Sequence, residues 1–380
     1  MNLSYFCTGS KITEMRFPRK IGFLMLGILL SASLSAQEFL WSVDVDMRFD
    51  NREYGKSKYN WPQTIFGGYI NPLVGLGWRG NSIQVGVSAL RNFGAPTCDM
   101  DVNFLFFYNY RDSRFNVSAG IIPRRQVKGG SEAFFCDSIK FFDNTIDGLL
   151  LQYIPDEKNY IEVFCDWDGH QTATTRERFI VYTSGRYYPL SWLYGEYELM
   201  MHHHAGTSVD GGVVDNIWFY PRVGVDLGGR LWFDKLKVSA GWLQSAQNDR
   251  TYVGHYVKPH GVQVEARVEK FKLGLYNTLY MGGCLMPYYE SYASSLYTGS
   301  AFYRTRDDVY NRLEAYWHPF QNEKFDLKVS SVHHYDGVKW CSQQLITFRV
   351  IIDNDMFKKD SPVRKQLRWR KNRKSSPDKI

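Results

Sequence analysis

Long apolar runs are nearly absent from this 380-residue chain; only Ile21 to Ala36, near the N-terminus, approaches the length of a membrane helix. A helical membrane protein needs repeated runs of about 20 apolar residues, so that architecture is excluded. Cysteine is scarce too: six residues, with no CxxC and no metal-ligand spacing, which excludes a sequence-evident zinc site. Charged residues make up only 22%. Aromatics are abundant instead, with 26 Tyr, 25 Phe and 11 Trp. Length alone allows two or three soluble domains or one large β unit. The aromatic, weakly charged composition favours the single β unit.

The ends differ from the body. Arg16, Arg19 and Lys20 form a basic region ahead of an apolar segment from Gly22 to Leu30, and small residues lead to Ala36. This reads as a secretory signal over residues 1–36, with Met15 a plausible start, rather than a membrane anchor. Net charge is +7, yet residues 357–380 carry +8 and residues 1–36 carry +3, leaving −4 for residues 37–356. The basic end is expected to be a disordered periplasmic tail; contact with anionic lipid or cell wall is the charge-based alternative. Nucleic acid is no partner for an exported chain.

Between the ends, apolar and polar residues alternate with a period of two. Phe39, Trp41, Val43, Val45, Met47 and Phe49 share one face, and Ser42, Asp44, Asp46 and Arg48 the other. A helix would show a period of 3.6. The pattern recurs at 83–89, 115–121, 161–168, 262–269 and 312–318. Charged faces of this kind need water, which the lumen of a barrel supplies while the apolar faces meet lipid. Counting segments predicts an all-β, transmembrane, antiparallel up-and-down barrel of about sixteen strands over 37–356. Every second link is short, as at Arg79–Asn81 and Arg111–Ser113, and those between are longer, above all 124–146 and 282–307. Short periplasmic turns alternating with long external loops are the outer-membrane pattern. Tyr and Trp clusters at Tyr187, Tyr188, Trp192 and Tyr194, and at Tyr288, Tyr289 and Tyr292, are candidates for interfacial girdles.

The stretch Gly120-Ile121-Ile122-Pro123-Arg124, a long insert, and Asp147-Gly148-Leu149-Leu150-Leu151-Gln152-Tyr153 resembles the porin-like outer-membrane barrels of Bacteroidetes. These are distantly similar to the phosphate-selective porin and alginate-export groups. The resemblance implies the barrel fold and a lumen position for Arg124.

Candidate site residues follow from the predicted lumen face. Arg124, Arg125, Lys128, Glu132 and Asp137 lie in the third external loop, which either folds inward to narrow the pore or stays outside. Glu162, Asp166, Arg222, Arg267 and Arg312 are expected on strands facing the lumen. Their mixed signs favour ion pairs over a single-sign filter. His202 and His204 share a face with Glu196 and Glu198, giving a weak metal-site alternative to plain lumen histidines. No serine-centred motif, carboxylate pair or His–Ser spacing stands out, and no catalysis or cofactor is expected. The resulting expectation is an outer-membrane channel for small solutes or ions, with both termini periplasmic. A homo-oligomer is compatible with it. The alternative is a non-conducting scaffold that docks a partner through its loops or tail.

Overall fold

A computed structural model describes residues 38–357, except Lys56, Thr97 and Cys98. The expected signal segment, most of the basic tail and Cys98 lie outside the described residues. The first strands are β1 (Glu38–Glu53), β2 (Gln63–Trp78), β3 (Asn81–Asn92), β4 (Asp101–Arg111) and β5 (Phe115–Pro123). Next come β6 (Thr145–Tyr153), β7 (Tyr160–Gly169), β8 (Arg178–Leu190), β9 (Leu193–His204) and β10 (Val214–Asp226). The set ends with β11 (Lys235–Asp249), β12 (His260–Lys270), β13 (Leu273–Gly282), β14 (Val309–Gln321), β15 (Phe325–Tyr335) and β16 (Trp340–Asp353). Each strand pairs with its sequence neighbours, and β1 closes on β16, giving a sixteen-stranded antiparallel barrel.

Alternation explains the wall. Along β1, Asp44, Asp46, Arg48 and Asp50 are buried inside, while the residues between them face outward. Phe104 and Phe106 on β4, Val223 on β10 and Trp317 on β14 are exposed large apolar side chains on the outer surface. A continuous apolar exterior on a closed barrel needs a bilayer around it. One end of the barrel has turns as short as 79–80 and 271–272; the other carries loops as long as 124–144 and 283–308.

Departures from expectation have local causes. β10 stops at Asp226, ahead of a turn in which Gly229 takes a left-handed φ of 70°. β11 reaches Asp249, and near its end Ser245 Oγ and Gln247 Nε2 both donate to the Leu285 carbonyl, at 2.9 and 2.8 Å. The girdle expectation holds for Tyr187 and Trp192, which are exposed. Tyr188 and Tyr194 instead face inward and stack at 5.2 Å, because adjacent strand residues take opposite faces.

The lumen is not simply water-filled. Loops 124–144 and 283–308 both enter it. Phe134 and Phe135 from the first and Leu285, Leu296, Phe302 and Tyr303 from the second pack into one buried cluster with the wall's Tyr182, Trp218, Tyr280 and Tyr310. Tyr288, Tyr289 and Tyr292 pack against this cluster rather than forming an outer girdle. The loops also bond to each other: Thr298 Oγ1 donates to the Phe134 carbonyl at 2.6 Å, and Ser300 N to the Glu132 carbonyl at 2.8 Å.

Candidate functional site

Inside the barrel, the charged residues singled out in the sequence hold the inserted loop. Arg124 pairs with Asp143 and Asp166, both at 2.7 Å, and Arg125 pairs with Asp44. Lys128 N and Gly129 N donate to Glu162, which also accepts from Gln152 Nε2 at 2.7 Å and Ser184 Oγ at 2.8 Å. Arg222 bridges Glu196 and Glu198, and Glu198 accepts from Ser131 N at 2.9 Å. Arg312 pairs with Glu314 at 3.0 Å and Asp137 at 3.6 Å. Arg267 lies over the rings of Tyr276 and Tyr316, at 5.0 and 5.5 Å.

In the inserted loop, burial and the neighbouring Asp137 push the Glu132 carboxyl up to about 8, against Arg312 and Lys140. Burial acts on Asp137 in the same direction, but Lys140, Arg312 and Arg48 outweigh it and hold that carboxyl below its usual range. Below this cluster, toward the short-turn end, lies a chamber of about 1050 Å³ lined by Lys158, Arg186, Arg230, Glu265 and Arg267 among others.

The metal alternative is not supported. His202 Nδ1 lies 2.9 Å from the Leu296 carbonyl, His204 meets the Tyr292 ring edge-on, and Glu196 and Glu198 are engaged by Arg222. Among the described residues no group of three or more His, Cys, Asp or Glu side chains is placed to hold a metal.

The outer wall holds a site that the sequence reading missed. Ser331 and His333, two apart on β15, both face outward, and Ser331 Oγ lies 3.1 Å from His333 Nε2. His333 is exposed and Ser331 half-buried. Across the strands, His333 is level with Ser342 and that residue with Glu53; Ser331 is level with Gln344 and that residue with Asn51. Asn51 Nδ2 donates to Gln344 Oε1 at 2.6 Å and to Glu53 Oε1 at 3.1 Å, and Thr64 Oγ1 donates to Asn51 Oδ1 at 2.9 Å. Polar side chains on a lipid-facing wall are costly and mark function. This patch lies near the long-loop rim, beneath the Tyr335–Trp340 ring pair.

One correction follows. A His–Ser spacing does exist, and its signal was two polar residues on the supposedly apolar face of one strand. The next residue, His334, takes the opposite face and is buried inside, 2.9 Å from Tyr310 OH.

A family model described as lipid A 3'-O-deacylase-type matches residues 32–358. The chain belongs to that family. No curated relative matches the sequence of this deacylase-type barrel. Solved structures similar to it include a loop-deletion mutant of OmpT, an outer membrane protein of Vibrio cholerae: 11% identity, TM-score 0.49, covering 84% of this chain and 100% of that one. Acinetobacter baumannii OccAB3 gives 9% identity and a TM-score of 0.46 over 83% and 99% of the two chains. Pseudomonas aeruginosa OprD gives 10% identity and a TM-score of 0.42 over 83% and 96%.

Proposed function

We propose that this deacylase-type barrel sits in the outer membrane and hydrolyses acyl esters of lipids that reach its outer wall, with Ser331 as nucleophile and His333 as general base. The observation that carries this reading is the 3.1 Å Ser331–His333 contact on a lipid-facing surface. A serine hydroxyl is a weak nucleophile until an adjacent base takes its proton. With the imidazole proton on Nδ1, Nε2 accepts the Ser331 proton as Oγ attacks the ester carbonyl. His333 then gives that proton to the departing alcohol, leaving an acyl-serine. Water, deprotonated by His333, attacks the acyl-serine carbonyl; the bond to Ser331 Oγ breaks, His333 returns the proton to Oγ, and the fatty acid leaves. Gln344 is level with Ser331, and its Oε1 is occupied by Asn51, so its amide N–H groups are the donors available to a developing oxyanion. Glu53 lies two strands from His333, roughly 10 Å at the usual strand spacing, and acts at most through Ser342.

The family's name supports the reading, since it describes removal of an ester-linked acyl chain. In this reading the short-turn end, with Glu38 of β1 and Asp353 of β16, faces the periplasm and the dyad lies toward the outer leaflet. The test is fatty-acid release from acylated glycolipid and phospholipid in mixed micelles by the full-length protein. Ser331→Ala is expected to lose at least about 100-fold in rate while Ser342→Ala stays near wild type. Undiminished release by Ser331→Ala overturns the assignment.

A second reading is favoured by the charged chamber of about 1050 Å³ at the short-turn end. It is diffusion of small solutes or ions through the lumen, with loop 124–144 as the constriction. Its test is single-channel conductance of the refolded protein in a planar bilayer. A folded, non-conducting barrel would leave the lumen a scaffold only.

A further inference from the structure

An apolar groove of about 800 Å³ runs down the outer wall over β12 to β16. Ser331 and Gln344 line its head, and Phe271 and Trp232, at the short-turn end, line its foot. The geometry points to this groove as the subsite for the acyl chain whose ester Ser331 cleaves, with Ala315 as its floor and Phe271 as the stop that limits chain length. The inference rests on the hydrolase reading and adds to it where the acyl chain lies and what limits its length.

Three observations support it. Ala315 is level with Ser331 on the adjoining strand, and it is a small side chain where the next outward position holds Trp317. A chain attached at Ser331 therefore has room to turn down the wall beside β13. The path sets a length as well. Leu275 is level with Ala315, so Phe271 lies four residues down and two strands across from Ser331. At about 3.3 Å per residue and about 4.8 Å per strand the diagonal is about 16 Å. An extended alkyl chain advances about 1.25 Å per carbon, from bonds near 1.52 Å at angles near 111°, so about thirteen carbons fit.

The foot is held in place. Phe271 and Lys272 form the two-residue turn with φ of 52° and 67°, the left-handed pair that tight hairpin turns demand. Residues with side chains seldom adopt that region. Phe271 N donates to Asp234 Oδ2 at 2.9 Å, and its ring meets Trp232 edge-on with centroids 6.1 Å apart. The exposed Phe271 ring is thus fixed across the groove's end by backbone and ring contacts together.

The experiment measures hydrolysis of p-nitrophenyl esters from four to sixteen carbons by the full-length protein in detergent, with Ser331→Ala as the blank. Wild type is expected to prefer chains of about thirteen carbons. Ala315→Phe, whose folding is checked by heat-modifiable gel mobility, should lower the rate on twelve- and fourteen-carbon esters more than tenfold relative to the rate on four-carbon esters. Phe271→Ala leaves the head intact and should move the preference to longer chains, so a folding failure of the first variant does not shield the inference. Turnover with the same chain-length profile in both variants overturns the groove assignment while the Ser331 reading stands. No Ser331-dependent turnover on any ester removes both.

Discussion

Glu162 shows how the lumen tolerates charge. The side chain is buried, and four donors converge on its two oxygens: two loop amides, one glutamine amide and one serine hydroxyl. A carboxylate accepting this many hydrogen bonds is satisfied without leaving the lumen. Glu162→Gln turns one acceptor into a donor aimed at donors. The expected cost is about 1–3 kcal/mol, read as a lower heat-modifiability midpoint in detergent and faster amide exchange at 127–131. An unchanged midpoint would show that the loop does not depend on this anchor. At the outer wall, His333→Asn should lower ester hydrolysis by about 100-fold or more with the fold intact; rates within twofold of wild type would remove His333 from the reaction. The two residues differ in how readable they were. Glu162 stood among alternating polar residues on a strand, so its inward face followed from the period of two. Ser331 and His333 occupied positions that the same template assigns to lipid, and a template that expects apolar residues there passes over polar ones.

At the scale of elements, the decisive pair is loops 124–144 and 283–308. Each supplies aromatic side chains to the lumen cluster, and the contact between them rests on Thr298 and Ser300. The charge in the first loop makes that docking pH-dependent. A Glu carboxyl titrates near 4.5 when free, and in the docked loop Glu132 is pushed up to about 8 by burial and Asp137. Between those values the docked loop holds a proton that the undocked loop has lost. This contribution to docking is full below pH 4.5 and is lost as pH rises through 8. Asp137 runs the opposite way: its contribution is full above about 3.8 and falls in acid. Amide protection at 130–142, corrected for the intrinsic exchange rate, should therefore be lower at about pH 9 than at about pH 6. Equal protection would place Glu132 in contact with solvent. The sequence allowed the first loop to fold inward because of its charges. The second gave no such sign. Leu285, Leu296 and Phe302 sit in a stretch without periodicity, and only a closed wall around them shows that they have nowhere else to be buried.

Taken as a whole, the molecule is a sealed wall around a lumen of two unlike halves, one packed with rings and one lined with charges. Alternation and loop lengths carried the wall in the sequence, since both are local; the packing of the lumen depends on contacts across the barrel, which no local pattern encodes. Sixteen strands enclose enough space for an aqueous channel unless something fills it. The filling is removable in part. Deleting 127–140 takes away Phe134, Phe135 and the amides that bind Glu162 and Glu198, while leaving every strand and its register in place. The deletion variant is therefore expected to show larger discrete current steps in a planar bilayer than the intact protein. The sign of the selectivity follows from what is left behind. Glu162 keeps only Gln152 and Ser184, Arg312 loses Asp137 but keeps Glu314, and Arg124 keeps Asp143 and Asp166. The newly exposed surplus near the constriction is negative, so the reversal potential in a salt gradient should report cation preference. Anion preference would mean that the chamber's Lys158, Arg186, Arg230 and Arg267 dominate the path instead. Unchanged conductance would mean that loop 283–308 seals the barrel alone.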